Sequence, residues 1–353
     1  MKTIIGLIYG GKSAEHEVSL STAYEVMQAI DYAKFDVLPI YITIQGEWCQ
    51  GEKRTTPFEH KESLRFDSKG KADSIQQIIA NGLAFDLAFP VLHGTNGEDG
   101  TVQGLFEVLN IPYVGNGVLA SSAGMDKVSM KQLFEIAGLA QVPYVHFVRP
   151  DWEQNRAEVI EKAEKELPYP MFVKPANLGS SVGISKADDR AQLEEAIELA
   201  LRFDRKIVIE EGVTAREIEM GVLGNDYPEF SVPGEIKPIA AFYDYEAKYQ
   251  DDSTELVIPA EVSEEVKSKM TEMARGAYRV LDCAGLVRAD FFVTANDEVY
   301  INEVNTMPGF TKTSMFPLLW QNTGMTYPEI IERLIELAME RHTAKQKIQY
   351  TMD

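Results

Sequence analysis

The chain has 353 residues, of which 45% are hydrophobic and 25% are charged, a composition typical of a folded globular protein and not of a disordered one. Its length exceeds that of one ordinary core and predicts two or three domains. With 34 basic and 55 acidic residues the formal net charge is −21, which repels a nucleic-acid backbone, so we expect no nucleic-acid partner.

The N-terminal run and the cysteines indicate the compartment. Met1–Tyr9 is apolar but has no charged leader and no cleavage site, so it is expected to be a strand and not a signal peptide. Cys49 and Cys283 are far apart and lie in no metal-binding spacing, which favours free thiols in a reducing cytoplasm. No apolar stretch approaches the length of a membrane span. We therefore expect a cytoplasmic protein with no membrane partner.

Strands and helices are predicted to alternate in residues 1–120. The predicted strands are Thr3–Tyr9, Val37–Ile42, Leu83–Pro90 and Ile111–Val114, and the predicted helices are Ala14–Ile30, Ile75–Ala80 and the segment around Val102, Leu105, Phe106 and Leu109. The polar stretch Gln45–Lys71 is expected to be an irregular surface segment with room for a short strand. This order predicts an α/β domain with a doubly wound parallel sheet, which binds ligands beyond the carboxyl ends of its strands.

Two further units are predicted, at residues 121–212 and 213–353. In the first of them, Asp126 is expected to cap a helix that stops at Gly138. The remaining predicted strands are Val142–Val148, Met171–Lys174, Lys206–Glu210, Glu217–Leu223, Leu286–Thr294 and Glu298–Val304, and the remaining helices are Gln154–Leu167, Ala191–Phe203, Glu264–Leu281 and Tyr327–Thr343. In residues 213–353 the strands are expected to pair as hairpins and to be covered by helices, which predicts an α+β unit.

A loop rich in glycine and serine follows the predicted strand that ends at Lys174. Glycines in Lys174–Gly183 permit a tight turn whose N–H groups point at phosphate oxygens, and the lysine adds a charge for the same phosphates. The chain contains neither a P-loop nor a Rossmann glycine fingerprint. Taken alone, an ordinary surface turn explains this loop better than a phosphate site.

Polar side chains also stand in two predicted strands with apolar neighbours. Residues i and i+2 of a strand share a face, so Arg288 lies beside Asp290, and Glu303 lies beside Asn305 on what is expected to be the adjacent strand. Hard oxygen ligands of this kind suit Mg²⁺ together with phosphate oxygens. The alternative is a solvated strand face, and spacing alone does not separate the two.

Three other segments have a functional and an ordinary interpretation. Glu15, in Gly10–Ser19, either stabilises the first turn of a helix or grips a substrate ammonium. His93, followed by a glycine-rich run, is either a structural histidine or lies against a ligand. The polar, aromatic segment Phe242–Tyr249 is either a charged surface helix or a loop that closes over a site.

Together these blocks resemble the D-alanine–D-alanine ligases of the ATP-grasp superfamily, in the family's order and over essentially the whole chain. The blocks are Gly10–Ser19, His93–Gly104, Met125–Lys127, Lys174–Gly183, Glu210–Glu217, Phe242–Tyr249, Arg288–Asp290 and Glu303–Ser314. The resemblance implies a three-domain ATP-grasp architecture with the nucleotide between the second and third domains. It also implies a homodimer.

The resemblance assigns roles residue by residue. ATP binding is implied for Lys127, Lys174, Gly179, Ser180, Ser181, Val182, Gly183, Glu210, Glu217 and Lys248. Two Mg²⁺ ions, for which Mn²⁺ is a possible substitute, would be held by Asp290, Glu303 and Asn305. Catalytic and substrate contacts are implied for Glu15, His93, Ser180, Tyr249, Arg288, Gly309, Ser314 and Met315.

The reaction that the resemblance implies is phosphoryl transfer from ATP to a D-alanine carboxylate, followed by attack of a second D-alanine amine on the acyl phosphate. Lys248 and Tyr249 resemble the dipeptide-forming type and not the relatives that make D-alanyl-D-lactate. One alternative is an ATP-grasp ligase with another carboxylate and nucleophile, which Glu15, His93 and Ser314 argue against. The other is a nucleotide-binding protein without turnover, which would be expected to lack Arg288 or some metal ligands.

Overall fold

The computed structural model describes residues 2–67, 74–80, 82–179, 182–238 and 254–352. The described strands are β1 (Thr3–Gly10), β2 (Phe35–Ile42), β3 (Trp48–Gln50), β4 (Leu87–Pro90), β5 (Tyr144–Val148), β6 (Met171–Pro175), β7 (Ser185–Ala187), β8 (Lys206–Glu211), β9 (Ala215–Gly224), β10 (Glu229–Pro238), β11 (Thr254–Val257), β12 (Gly285–Thr294) and β13 (Val299–Asn305).

The described α-helices cover these sheets. They are α1 (His16–Ala29), α2 (Ile75–Ala80), α3 (Thr101–Val108), α4 (Val118–Met125), α5 (Lys127–Ile136), α6 (Arg149–Gln154), α7 (Arg156–Glu166), α8 (Arg190–Ala200), α9 (Glu264–Val280), α10 (Met315–Thr323) and α11 (Tyr327–Lys345). Within the described ranges, no helix combines the length and apolar character needed to cross a membrane.

The N-terminal sheet has the order β3-β2-β1-β4. β1 pairs in parallel with both β2 and β4, and β3 adds an antiparallel edge. The parallel α/β sheet is therefore confirmed. The predicted strand Ile111–Val114 is wrong, because this segment forms only one bridge, between Ala88 and Tyr113. Pro112 has no N–H with which to extend the ladder.

The polar stretch after β2 is more ordered than predicted. Besides β3 it contains a 3-10 helix, Lys61–Leu64. Leu64 is fully buried in the core of the N-terminal sheet, and its carbonyl accepts a 2.8 Å hydrogen bond from the Tyr9 hydroxyl. The short strand expected in this segment is therefore present as β3, whereas the 3-10 helix was not predicted; there one leucine anchors the excursion by burying its side chain.

The central sheet has the antiparallel order β5-β8-β6-β7, with α7 and α8 packed into its own hydrophobic core. The helix predicted over Gln154–Leu167 is confirmed as α7, whereas the short helix α6, which ends at Gln154, was not predicted. Asn155 lies between them with φ −154°, outside the helical region, and its side chain accepts a 3.3 Å hydrogen bond from the Glu158 N–H. The asparagine thus caps α7.

The C-terminal sheet has the antiparallel order β11-β10-β9-β12-β13. α9 packs on it in one core with β9, β12 and β13, as the α+β prediction expects. α10, which the sequence pattern did not predict, lies over β9 and β10, where a Cβ at Gly221 would meet the Trp320 indole at 2.7 Å. The sheet is therefore covered by α9 and α10.

The three sheets share side chains at their boundaries. Phe134 of α5 is fully buried in the core of the C-terminal sheet, whereas Leu334 of α11 packs in the core of the N-terminal sheet. The Tyr327 hydroxyl donates a 2.7 Å hydrogen bond to the Phe310 carbonyl in the same region. The domain boundaries at residues 120 and 212 stay predictions.

Candidate active site

A cavity of about 360 Å³ lies between the central and C-terminal sheets. Most of the residues that the resemblance assigned to a nucleotide or a metal line it, namely Lys127, Lys174, Gly179, Glu210, Glu217, Asp290, Glu303 and Asn305. Arg288, to which the resemblance gave a catalytic role, lines it as well. They come from α5, β6, β8, β9, β12 and β13, so the fold gathers positions that are up to 178 residues apart, from Lys127 to Asn305. A larger cavity of about 790 Å³, beside Arg341, contains none of them.

The antiparallel register of β12 and β13 explains why the acidic groups meet. Asp290 stands opposite Glu303, and Arg288 stands opposite Asn305. Directly opposed residues point to the same side of a sheet, so all four side chains face the cavity. The predicted convergence of three oxygen-bearing side chains and one guanidinium is therefore present.

Arg288 is held by carboxylates on two strands. Its Nε and Nη2 each donate a 2.8 Å hydrogen bond to Asp290, and its Nε is also 2.9 Å from a Glu219 oxygen. Burial opposes the charge of Arg288, but the two carboxylates outweigh it and hold the pKa of the guanidinium well above its usual value. The fixed positive group therefore stays available to a developing negative charge. Glu219 was missed, although it stands two residues after Glu217 on one strand face.

The donor set fits Mg²⁺. The Asn305 side-chain amide donates a 2.8 Å hydrogen bond to Asp290, and the Glu303 carboxylate lies 3.5 Å from the Lys127 ammonium. Two carboxylates and one amide supply only hard oxygens, which Mg²⁺ takes together with water and phosphate oxygens. Among the residues described, no cluster of three or more His, Cys, Asp or Glu side chains could hold a metal.

Lys174 is one of the buried cations that line the cavity. Its ammonium lies 2.5 Å from Glu210, and Lys131 approaches the other oxygen of the same carboxylate at 2.9 Å. Burial favours the neutral acid, but the two lysines outweigh it and lower the pKa of Glu210 to about 2. Burial likewise lowers the pKa of Lys131, whereas attraction to Glu210 overcomes burial and raises that of Lys174. Lys131 was missed, although it stands four residues after Lys127 on the same helix.

The glycine-rich loop approaches the cavity from the central sheet. The Lys127 ammonium donates a 2.9 Å hydrogen bond to the Leu178 carbonyl, which ties the loop to α5. A Cβ at Gly179 would lie 3.9 Å from oxygens of both Glu15 and Glu98, so the loop reaches the N-terminal domain. Val182 and Gly183 are described but do not line the cavity. Ser180, Ser181, Lys248 and Tyr249 lie outside the described residues, as does the segment Phe242–Tyr249.

The opposite end of the site is built from loops of the N-terminal sheet. Glu15 immediately precedes α1, and its carboxylate lies so close to Gly94 that a Cβ there would meet it at 2.7 Å. Gly94 has φ +74°, a left-handed conformation that glycine adopts without strain. The absence of a side chain at Gly94 therefore lets the Glu15 carboxylate approach the backbone beside His93.

His93 and Glu98 are both buried at this end. Burial lowers the pKa of His93, whose ring nitrogens lie 3.2 Å from the Thr22 hydroxyl and 3.3 Å from the Met307 carbonyl. Burial, with repulsion from Glu15, raises the pKa of Glu98 to about 8, while the Gly94 N–H donates to it at 2.9 Å. The sequence assigned Glu98 no role. Both groups favour their neutral forms at neutral pH.

Gly309 and Ser314 lie together before α10. A Cβ at Gly309 would be 3.2 Å from the Ser314 hydroxyl, which accepts a 3.1 Å hydrogen bond from the Thr311 N–H. Ser314 is the residue before the first turn of α10, where free N–H groups and the helix dipole favour an anion. Met315 is 6% exposed and packs with Ile236, so a contact of its side chain with substrate stays a prediction.

Two family models match the chain. Residues 4–116 match D-ala D-ala ligase N-terminus, and residues 133–336 match D-ala D-ala ligase C-terminus. The D-alanine--D-alanine ligase of Geobacillus kaustophilus (strain HTA426) is 58% identical over 361 residues, which cover 99% of this chain and 98% of that protein. The ligase of the same name from Listeria monocytogenes serotype 4b is 55% identical, with all of both chains covered.

Solved structures agree with this result. The D-alanine-D-alanine ligase from Coxiella burnetii superposes with a TM-score of 0.81 at 32% identity, covering 98% of this chain and 96% of that one. The VanG D-Ala:D-Ser ligase from Enterococcus faecalis has a TM-score of 0.81 at 34% identity, covering 96% of this chain and all of that one. The chain therefore belongs to the D-alanine–D-alanine ligase family, with its ATP-grasp fold.

Proposed function

We propose that the chain joins two D-alanine molecules into D-alanyl-D-alanine, with conversion of ATP to ADP and phosphate, as a precursor for peptidoglycan. One observation carries this proposal. A cavity with buried lysines and a set of oxygen donors lies between two sheets, and its glycine loop meets Glu15 of a third domain. Cations and oxygen donors suit a nucleotide, and a carboxylate at the amino-acid end suits an ammonium group.

The nucleotide would occupy the cavity, with its phosphates near Lys127 and Lys174. The Asp290, Glu303 and Asn305 side chains would hold Mg²⁺, which supplies neutralisation of phosphate charge when it is bound. The lysines are fixed before a ligand arrives, Lys127 by the Leu178 carbonyl and Lys174 by Glu210. Preorganised charges of this kind need little rearrangement during phosphoryl transfer.

The first D-alanine would lie between Glu15 and His93. Glu15 would bind its ammonium, and the neutral His93 ring would lie beside its carboxylate, which attacks the γ-phosphorus of ATP. The new bond joins a carboxylate oxygen to phosphorus, the bond to the β-phosphate oxygen breaks, and ADP leaves. A neutral imidazole suits this place because it does not form an ion pair with the attacking carboxylate.

The second D-alanine would bind its carboxylate at the N-terminus of α10, beside Ser314. Its amine attacks the acyl carbon, and the oxyanion that forms would be stabilised by Arg288 and the Gly309 N–H. The carbon–oxygen bond to phosphate then breaks, which gives the dipeptide, inorganic phosphate and a proton. Arg288 supports this role because two carboxylates already fix its orientation.

The identity of the second substrate needs its own test, because a D-Ala:D-Ser ligase shares the fold at 34% identity. The experiment measures phosphate release by the purified protein with MgATP and D-alanine, L-alanine, or D-alanine plus D-serine or D-lactate, with products identified by mass. We expect release with D-alanine alone and the D-alanyl-D-alanine mass. A dominant D-serine or D-lactate product would refute the dipeptide specificity, and no release with any mixture would refute the ligase proposal.

We also propose that the protein acts as a homodimer in the cytoplasm. Val108, Leu119 and Ile136 are 86%, 58% and 78% exposed, and burial of such apolar side chains against a second copy would be favourable. Leu119 and Ile136 border one surface depression. Light scattering after gel filtration tests the stoichiometry, and a monomer at all concentrations would contradict it.

A further inference from the structure

Lys131 is a buried lysine that has no place in the proposed reaction. Its side chain is 1% exposed, and its ammonium is 2.9 Å from Glu210 and 5.2 Å from the centre of the Tyr144 ring. Glu210 and Lys174 line the cavity, whereas Lys131 lies behind the carboxylate and does not. Lys131 therefore acts on a ligand only through Glu210.

The charge balance of this cluster points to a ligand. Lys131 and Lys174 carry two positive charges, and Glu210 supplies one negative charge between them. Glu303 and Glu217 also attract Lys174, but Glu210 is a carboxylate in direct contact with both ammonium groups. An anionic group that enters the cavity and engages Lys174 would replace one of these two contacts.

The same geometry shows what would happen without Lys131. Lys174 would be the partner of both Glu210 oxygens, and turning toward a phosphate would leave a buried carboxylate unpaired, which is unfavourable. With Lys131 present, Glu210 keeps one ion pair throughout. Lys174 then exchanges a carboxylate oxygen for a phosphate oxygen with little loss of electrostatic stabilisation.

We propose that Lys131 is a positioning residue for the nucleotide, because it keeps Glu210 paired while Lys174 engages a phosphate. The inference rests on the proposed function, in which Lys174 contacts the phosphates of ATP. It extends that function to a residue that touches neither ATP nor D-alanine.

The test is a double-mutant cycle with Lys131→Met and Glu210→Gln, measured by the KM for ATP, the KM for D-alanine and calorimetric binding of MgATP. In the Lys131→Met variant we expect the KM for ATP to rise by about tenfold or more, as for one weakened charge-assisted hydrogen bond. The KM for D-alanine should stay close to wild type. In a Glu210→Gln background, Lys131→Met should no longer raise the KM for ATP, because no carboxylate competes for Lys174.

Ile197→Ala serves as the matched control, since Ile197 is fully buried in the core of the central sheet and does not line the cavity. It should lower thermal stability without changing the KM for ATP. If Lys131→Met does not fold, the double variant is compared with Glu210→Gln alone, and equal values support the inference. An unchanged KM in Lys131→Met, or an equal rise in both backgrounds, overturns it.

The binding measurement separates this inference from the proposed function. A wild-type protein that binds MgATP but releases no phosphate with D-alanine would refute the proposed function, while the cycle would still judge Lys131 by calorimetry. A wild-type protein that turns over D-alanine, with no coupling between the two positions, would refute the role of Lys131 alone.

Discussion

Gly94 and Gly138 offer a matched pair of substitutions that tests the amino-acid end of the site. Both have left-handed backbones, with φ +74° and +69°, so alanine at either position costs about 1–2 kcal/mol of backbone strain. Only the Gly94 Cβ has neighbours, at 2.6 Å from the Ser13 hydroxyl and 2.7 Å from a Glu15 oxygen, whereas nothing lies within 4 Å at Gly138. The two variants therefore have the same backbone strain, but only Gly94→Ala places a methyl group against Ser13 and Glu15.

In Gly94→Ala, the Glu15 carboxylate must retreat by roughly 0.7 Å to reach ordinary van der Waals distance. A charge-assisted hydrogen bond is worth about 1.5–3 kcal/mol, so its loss predicts a rise of about 10- to 100-fold in the KM for D-alanine. The assay is D-alanine-dependent phosphate release at saturating ATP, with urea unfolding of both variants.

We expect both variants to lose unfolding free energy, Gly94→Ala more because of the added contact, and a KM change only in Gly94→Ala. Equal KM values for D-alanine in Gly94→Ala and Gly138→Ala would refute the assignment of Glu15 to the substrate ammonium. A higher KM for ATP, with the KM for D-alanine unchanged, would refute it as well, because the new methyl group lies at the amino-acid end.

Three further predictions concern the cavity. Asp290→Asn should raise the Mg²⁺ concentration for half-maximal activity at least about tenfold, the effect of losing one charged ligand, while the remote Asp226→Asn should not. The pKa of Glu210 falls on folding from 4.5 to about 2, so its ionised form favours the fold above pH 4.5 and this stability is lost as the pH falls toward 2. Acid titration followed by circular dichroism should therefore show on the order of 3 kcal/mol less pH dependence in Glu210→Gln. Asp126→Ala should cost about 1–2 kcal/mol in urea unfolding, because it removes the cap of α5 and the ion pair with Lys206, and an unchanged midpoint would contradict this.

Elements with a clear periodicity could be predicted from the sequence. β1 is a continuous apolar run, as expected of a parallel strand buried on both faces, and α9 follows the helical period from its serine cap at Ser263. β10 was missed because Pro233 and Gly234 interrupt it, and the register shifts between Phe230 and Pro233. Its place in the sheet is fixed by pairing with β9 and not by its own pattern.

Some residues of the candidate site could likewise be predicted from the sequence, and others could not. Asp290 and Glu303 could be predicted because alternation within a strand is a local property, and their antiparallel pairing follows from a hairpin. The roles of Lys131 and Glu219 could not be predicted, because each depends on contact with a residue of another element. Lys131 contacts Glu210, and Glu219 contacts Arg288. A charged residue on a helix or strand is usually solvated, and only tertiary packing shows that these two are buried.

The central claim is that the carboxylate of one D-alanine becomes an acyl phosphate before the peptide bond forms. The most direct test uses D-alanine labelled with ¹⁸O in both carboxylate oxygens and mass spectrometry of the released phosphate. The proposed mechanism predicts one ¹⁸O atom in each phosphate, because the oxygen that bonds to phosphorus leaves with it when the second amine attacks. Dipeptide formation with unlabelled phosphate would contradict the claim.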